Sequence, residues 1–120
     1  LLMPSALTIV TLFSALSFLF YGLSCLTSKR MTLEFERFGL SKQQQTLTGI
    51  FQLIGGAGLA IGYYQSLILA AISATGLTLL MLLGFLVRLK IKDSLVLSAP
   101  SLMYALLNLY LVVKFFGLLD

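Results

Sequence analysis

The chain has no histidine and no tryptophan, one cysteine, two prolines and four acidic residues among its 120. Each shortage closes a route. Without histidine there is no bis-imidazole haem ligation, no imidazole general base and no common zinc triad. A lone Cys25 excludes an internal disulfide or dithiol couple. Glu34, Glu36 and Asp93 fall in charged connections and not within apolar runs, so no intramembrane carboxylate is available to relay protons. Phosphate-binding loops and nucleophile constellations are missing as well. No catalytic residue and no metal ligand is assigned, and an enzyme acting alone is not expected.

What is present is apolar: 59% hydrophobic against 10% charged residues, with a mean hydropathy of +1.05. That balance belongs to a membrane protein. A spanning helix needs roughly 20 apolar residues to cross about 30 Å of hydrocarbon, so the chain accommodates about four spans and no soluble catalytic domain. Hydropathy places them at about 5–27, 46–64, 66–88 and 97–117. The first is read as a retained helix, because no basic segment precedes it, its apolar run is too long for a signal peptide, and no A-x-A-like site follows. The sequence around Cys25, "GLSC", is a poor lipoprotein cleavage box. Because the numbering opens at Leu1, the natural start is expected upstream. Residues 1–120 are read as one all-α membrane domain, a four-helix bundle with a short interfacial amphipathic helix between its first two spans.

Charge suggests an orientation. Lys29, Arg30, Arg37 and Lys42 lie between the first and second spans, and Arg88, Lys90 and Lys92 lie between the third and fourth; Lys114 alone falls toward the other side. Basic short loops favour the cytoplasm, so the loops 28–45 and 88–96 are expected inside and both chain ends outside. The net charge of +4 then reflects topology and attraction to anionic headgroups, with no call for nucleic acid. Within the first loop, Met31, Phe35 and Phe38 recur at i, i+4 and i+7, which predicts a short helix lying in the headgroups, as a brace or as a lid over an inward-opening cavity. Gly39 is placed to stop it. Ser41 to Gln44, "SKQQ", has the capping-box pattern, which starts the next helix near Lys42.

The second span, "GIFQLIGGAGLAIGYYQ" from Gly49 to Gln65, carries five glycines and a glutamine in an otherwise oily run. At 100° per residue, Gly55, Gly58 and Gly62 share one strip, while Gly49, Gln52, Gly56 and Ala60 share a second. The remaining arc, with Ile50, Leu53, Ile54 and Ile61, is assigned to lipid. Small residues let helix backbones approach where no hydrophobic effect draws them together, so the glycines are assigned to helix packing. Gln52 needs a polar partner or trapped water, since an unpaired amide in hydrocarbon costs several kcal/mol. The fourth span offers Ser101, Tyr104 and Asn108 on one face. The first offers Thr8, Thr11, Ser14, Ser17, Tyr21 and Ser24. The third adds Ser73, Gly76 and Gly84, with Thr75 and Thr78 on neighbouring faces. One polar seam uniting these faces is expected, with Gln52, Tyr104 and Asn108 as its candidate ligand-binding residues. The glutamines at the start of the second helix sit in its wetter turns and need no ligand.

Three stretches carry a resemblance: "EFERFGLSKQQQTLTGIFQLIGGAGLAIG" (Glu34 to Gly62), "LMLLGFLVRLKIKDS" (Leu80 to Ser94) and "APSLMYALLNLY" (Ala99 to Tyr110). In order and spacing the chain resembles the DoxX-like family of small four-span membrane proteins, through an aromatic-glycine turn, a G-x-x-[EQ]-x-x-G second helix, a basic connection and a Pro and Asn in the last helix. Arg88, Lys90, Asp93, Pro100 and Asn108 fit that pattern. The resemblance implies the bacterial inner membrane and a bundle similar to those of receptor-assembly chaperones and sterol-associated membrane proteins. It also implies a link to the subunit of a thiosulfate:quinone oxidoreductase that names the family. Many members carry glutamate where this chain has Gln52, so acid-dependent chemistry is not expected here. The first functional reading is an accessory or assembly subunit, self-associating or packed on a larger membrane complex through glycine-rich and aromatic faces. The alternatives are a binder of quinone or another lipid between the helices, and a non-catalytic subunit of a quinone-linked sulfur oxidoreductase. No covalent cofactor or metal is expected.

Overall fold

The structure is a computed structural model, described over residues 5–119. It consists of five helices, α1 (Ala6–Thr27), α2 (Lys29–Arg37), α3 (Lys42–Gln65), α4 (Leu67–Lys90) and α5 (Leu95–Leu119), with no strand among the described residues. All but α2 are long and apolar enough to cross a membrane. Helices of 22 to 25 residues extend about 33 to 38 Å at 1.5 Å per residue, enough for a hydrocarbon core about 30 Å thick.

Serines set most of the boundaries. Ser5 Oγ accepts from the Thr8 N–H to open α1, and Ser28 both closes α1 and caps α2. Gly39 adopts φ 78°, a left-handed conformation that costs glycine little and lets the chain leave α2. The capping box then forms: Ser41 Oγ accepts from the Gln44 N–H while the Ser41 N–H donates to Gln44 Oε1. Ser66 ends α3 and caps α4 within one residue, which makes the turn between them tight. After α4, Lys92 turns left-handed with φ 61°, and the Asp93 N–H donates back to the Arg88 carbonyl at 2.9 Å. That closure fixes the Asp93 side chain over the end of α4.

The four long helices form a ring. α1 packs on α3, α3 on α4 and α4 on α5, while a thinner α5 to α1 contact closes the circle; α1 and α4, like α3 and α5, stand on its diagonals. Around the centre lie Ala15, Phe18, Leu59, Leu77, Leu111 and Phe115. Side chains such as Leu16, Ile54, Ile72 and Val113 point outward, where lipid receives them.

The glycines of α3 face its two neighbours. A Cβ on Gly62 would lie 2.9 Å from Ala70 Cα, and one on Gly55 would lie 2.8 Å from Leu77 Cγ, so this strip meets α4. On the second strip, a Cβ on Gly49 would lie 2.9 Å from Leu26 Cγ, and one on Gly56 would lie 2.9 Å from the Ala15 carbonyl oxygen. These meet α1. Leu53, assigned to lipid from the sequence, turns instead toward α1, where its side chain fills the space that a Cβ on Gly22 would need. Ile50, Ile54 and Ile61 are exposed as the lipid-facing arc requires.

Candidate functional site

Near Ser66, glycine and alanine bring α3 and α4 into backbone contact. Toward the other end the facing residues become large, and a cavity of about 560 Å³ opens between the two helices. Leu47 and Phe51 of α3 and Leu83 and Leu86 of α4 line it and are also exposed on the outer surface, so it opens sideways as well as toward the helix ends. Its roof is α2 with the residue that follows it: α2 contributes Met31 and Phe35, and its C-cap contributes Phe38. Phe35 is buried, and the apolar face read from the spacing of these three residues is the face that covers the cavity.

Polar groups in this cavity are few and specifically placed. Gln52 sits deep in it, with 6% of its surface exposed. Its Oε1 is fully buried and accepts no hydrogen bond among the described residues. An unsatisfied amide of this kind costs about 1–3 kcal/mol. Gln45, just before the span expected at 46–64, behaves differently. It is buried, and its Nε2 donates to the Cys25 carbonyl at 2.9 Å and to Thr32 Oγ1 at 3.0 Å, tying α3 to α1 and α2. The expectation of a wet position thus fails for Gln45, because α2 folds back over the start of α3 and dries it.

The other two candidate residues lie elsewhere. Ser14 Oγ donates to Asn108 Oδ1 at 3.0 Å, and Asn108 Nδ2 donates to the Tyr104 carbonyl at 2.8 Å. Tyr104 donates its hydroxyl to Ser17 Oγ at 3.1 Å, with its ring packed among Phe13, Phe18 and Tyr21. Asn108 is fully buried, and both of its amide atoms are paired. Neither Tyr104 nor Asn108 lines the cavity, which takes only Ser101 from α5. The single expected seam is therefore two: a satisfied α1 to α5 ladder and an unsatisfied Gln52 in the cavity. Ring order explains the division, since α3 and α5 occupy a diagonal with no close backbone approach, and meet through long side chains such as the rings of Tyr63 and Phe115 near the opposite end. Thr8 adds a further polar link, to the Tyr63 hydroxyl near the opposite end of α3.

Where α2 meets the end of α4, a charged cluster forms that sequence spacing did not disclose. Arg37 Nη1 donates to Asp93 Oδ1 at 2.6 Å and Nη2 donates to Oδ2 at 3.2 Å, while Arg88 Nη1 donates to Oδ2 at 2.9 Å. Arg37 also pairs with Glu34. The Phe38 ring lies 5.3 Å from the Arg37 guanidinium and 5.0 Å from that of Arg88. Hydrogen bonds from Arg37, reinforced by Arg88, hold the Asp93 carboxyl below the usual carboxylate range despite partial desolvation. Asp93 likewise raises the Arg37 pKa above its ordinary value, with help from Glu34. Both partners stay charged near neutrality. The two basic connections thus meet at one end of the bundle, joined across 56 residues of sequence. Lys29, Arg30, Lys42 and Lys92 are exposed around this end, and Lys90 lines the cavity beside Arg88.

Comparison with known proteins gives one result. No curated protein and no solved structure matches the chain. The family model described as the DoxX-like family matches residues 9–111, which takes in most of α1, all of α2 to α4 and most of α5. With four membrane-length helices arranged in a ring, and that match spanning most of its length, the chain belongs to the DoxX-like family.

Proposed function

We propose that this multi-pass membrane protein binds a single amphiphilic lipid, an isoprenoid quinone or a molecule of similar shape, in the cavity between α3 and α4. The observation that carries this reading is Gln52. A largely apolar cavity of 560 Å³ falls within the roughly 300–1,000 Å³ of small-molecule sites, which pair apolar walls with a few polar groups. The one deeply buried amide in it is unsatisfied. In hydrocarbon such a group is expensive, and a ligand removes the expense. Rotation of the amide plane presents either Oε1 or Nε2, so it serves a hydroxyl or a carbonyl. It does not exchange protons as a glutamate would, which supports a binding role over proton transfer.

The accessory-subunit reading receives less support. Both glycine strips of α3 are occupied by α1 and α4 of the same chain, so the glycine-rich part of the expected docking surface is consumed internally, while aromatic side chains such as Phe13, Phe20 and Phe116 stay exposed. For location, we adopt a bacterial inner membrane with the Arg37–Asp93–Arg88 end in the cytoplasm, on the strength of the basic residues gathered there.

Native mass spectrometry of protein released gently from its own membrane tests the binding reading. Wild type is expected to retain one lipid, and Gln52→Leu to lose it while melting at or above the wild-type temperature. Unchanged lipid retention in Gln52→Leu refutes the assignment, and a heterologous subunit in the spectrum would restore the accessory reading.

A further inference from the structure

We infer that the lipid held between α3 and α4 is anionic, with its headgroup at the cavity rim on Lys90, Arg88 and the Gln44 amide. This rests on the cavity being a lipid site and narrows its ligand to a charged membrane lipid in place of an uncharged quinone.

The first observation is charge. Among the residues lining the cavity the only charged ones are Arg88 and Lys90, and no carboxylate joins them. Asp93 turns away from the lining and is shared between Arg37 and Arg88, with Arg37 taking both of its oxygens. Lys90 forms no salt bridge among the described residues. Three cations thus meet two carboxylates at this corner, and the surplus positive charge lies on the cavity side.

The second observation is the hydrogen-bond inventory. Gln44 Oε1 already accepts from the Ser41 N–H, which leaves the Gln44 NH₂ group to face a ligand. Thr48 turns its hydroxyl to the Gln44 carbonyl within its own helix. Arg88 uses only Nη1 on Asp93, so among the described residues its remaining N–H groups have no hydrogen-bond partner. The rim therefore offers mainly donors, and the matching ligand group is one rich in acceptors, such as a phosphate or carboxylate. The start of α3 lies at the same rim and presents its positive dipole end.

Depth agrees with a lipid. Gln44 is in the first turn of α3 and Gln52 lies eight residues further along, about 12 Å deeper at 1.5 Å per residue. Between them the wall is apolar, with Leu47 and Phe51 on α3 and Met81 on α4. A free inorganic anion satisfies the rim and leaves this depth unused. A zwitterionic headgroup brings a cation to a corner that already has a surplus of them.

The test is native mass spectrometry of the full chain equilibrated with an equimolar mixture of phosphatidylglycerol and phosphatidylcholine of matched acyl chains. Wild type is expected to retain phosphatidylglycerol about fivefold over phosphatidylcholine, the ratio one well-placed cation confers near a membrane surface. Lys90→Gln brings that ratio toward one while the total lipid-bound fraction stays up. Lys42→Gln removes a charge near the same end without touching the cavity, and leaves the ratio unchanged. Lys90 is exposed and unpaired, so its variant folds, as a melt verifies. Equal retention of the two lipids by wild type, or an equal effect of Lys42→Gln, overturns the anionic assignment and leaves the lipid cavity standing. Retention of no lipid by any variant overturns the cavity reading and this one with it. Stabilisation by inorganic phosphate as large as that by phosphatidylglycerol assigns the rim to a soluble anion and overturns the lipid source.

Discussion

Replacing glycine by alanine along α3 and α4 should give opposite effects at positions that look alike in sequence. In a helix the exchange gains about 1 kcal/mol in propensity. Against that stands what the new methyl meets. At Gly76 no atom of the described residues lies within 4 Å of the added methyl, so the propensity gain survives and Gly76→Ala is expected to be neutral or up to about 1 kcal/mol more stable. At Gly62 the methyl meets backbone of α4, first the Ala70 nitrogen, then Ala70 Cα at 2.9 Å and the Leu69 carbonyl carbon at 3.0 Å. Carbon atoms rest at about 3.5–4.0 Å, so the helices must part by about 0.6 Å or more beside their tight turn. Overpacking of this kind costs about 1–3 kcal/mol, which leaves Gly62→Ala net destabilised by about 1–2 kcal/mol. Gly58 falls between, because its methyl meets the Ser73 hydroxyl, which can rotate away. Thermal melts in one detergent, followed with a thiol-reactive fluorogenic dye on the buried single Cys25, give the order. If Gly62→Ala melts at or above Gly76→Ala, close α3 to α4 packing is not what these glycines provide.

Two further predictions address the other polar features. A double-mutant cycle of Ser14→Ala and Asn108→Leu is expected to give a coupling of about 0.6 kcal/mol, and no more than about 1.7, as for other interhelical hydrogen bonds in membranes; a coupling of zero removes the α1 to α5 ladder as a determinant of alignment. The Arg37 to Asp93 contact has a definite pH signature. Because the folded-state pKa of Asp93 is depressed, its stabilisation is fully present above the unfolded value of about 3.9 and is lost as pH falls through the folded value. Hydrogen exchange of residues 29–37 is therefore expected to be flat from pH 5 upward once corrected for intrinsic rates, and to accelerate on acidification below about 4. Asp93→Asn should show the faster exchange at neutral pH, and equal protection in both proteins would mean that α2 is held by Phe35 and Gln45 alone.

The division between what was legible and what was not follows the range of the interactions. Four spans, the amphipathic helix, the Gly39 stop and the Ser41 to Gln44 capping box come from short-range rules of hydropathy, periodicity and capping, and these act the same way in any surroundings. The two strips of α3 are likewise a property of helical geometry. Which helix each strip meets is not. Local patterns carry no signal for ring order, and ring order separates Gln52 from Asn108 by placing α3 and α5 on a diagonal. The burial of Gln45 and the pairing of Arg37 with Asp93 depend on how α2 folds back, and their partners lie 13 to 56 residues away.

The cavity itself belongs to the tertiary level. By itself the sequence determined that this chain crosses the membrane as apolar helices, because the cost of unpaired backbone groups in lipid admits little else. It also determined that small residues line the second span. Only the assembled bundle decided that α3 and α4 touch at one end and part at the other. Backbone contact at Gly62 and Ala70 and the bulk of Phe51 and Leu83 together leave a space into which the unpaired Gln52 is set.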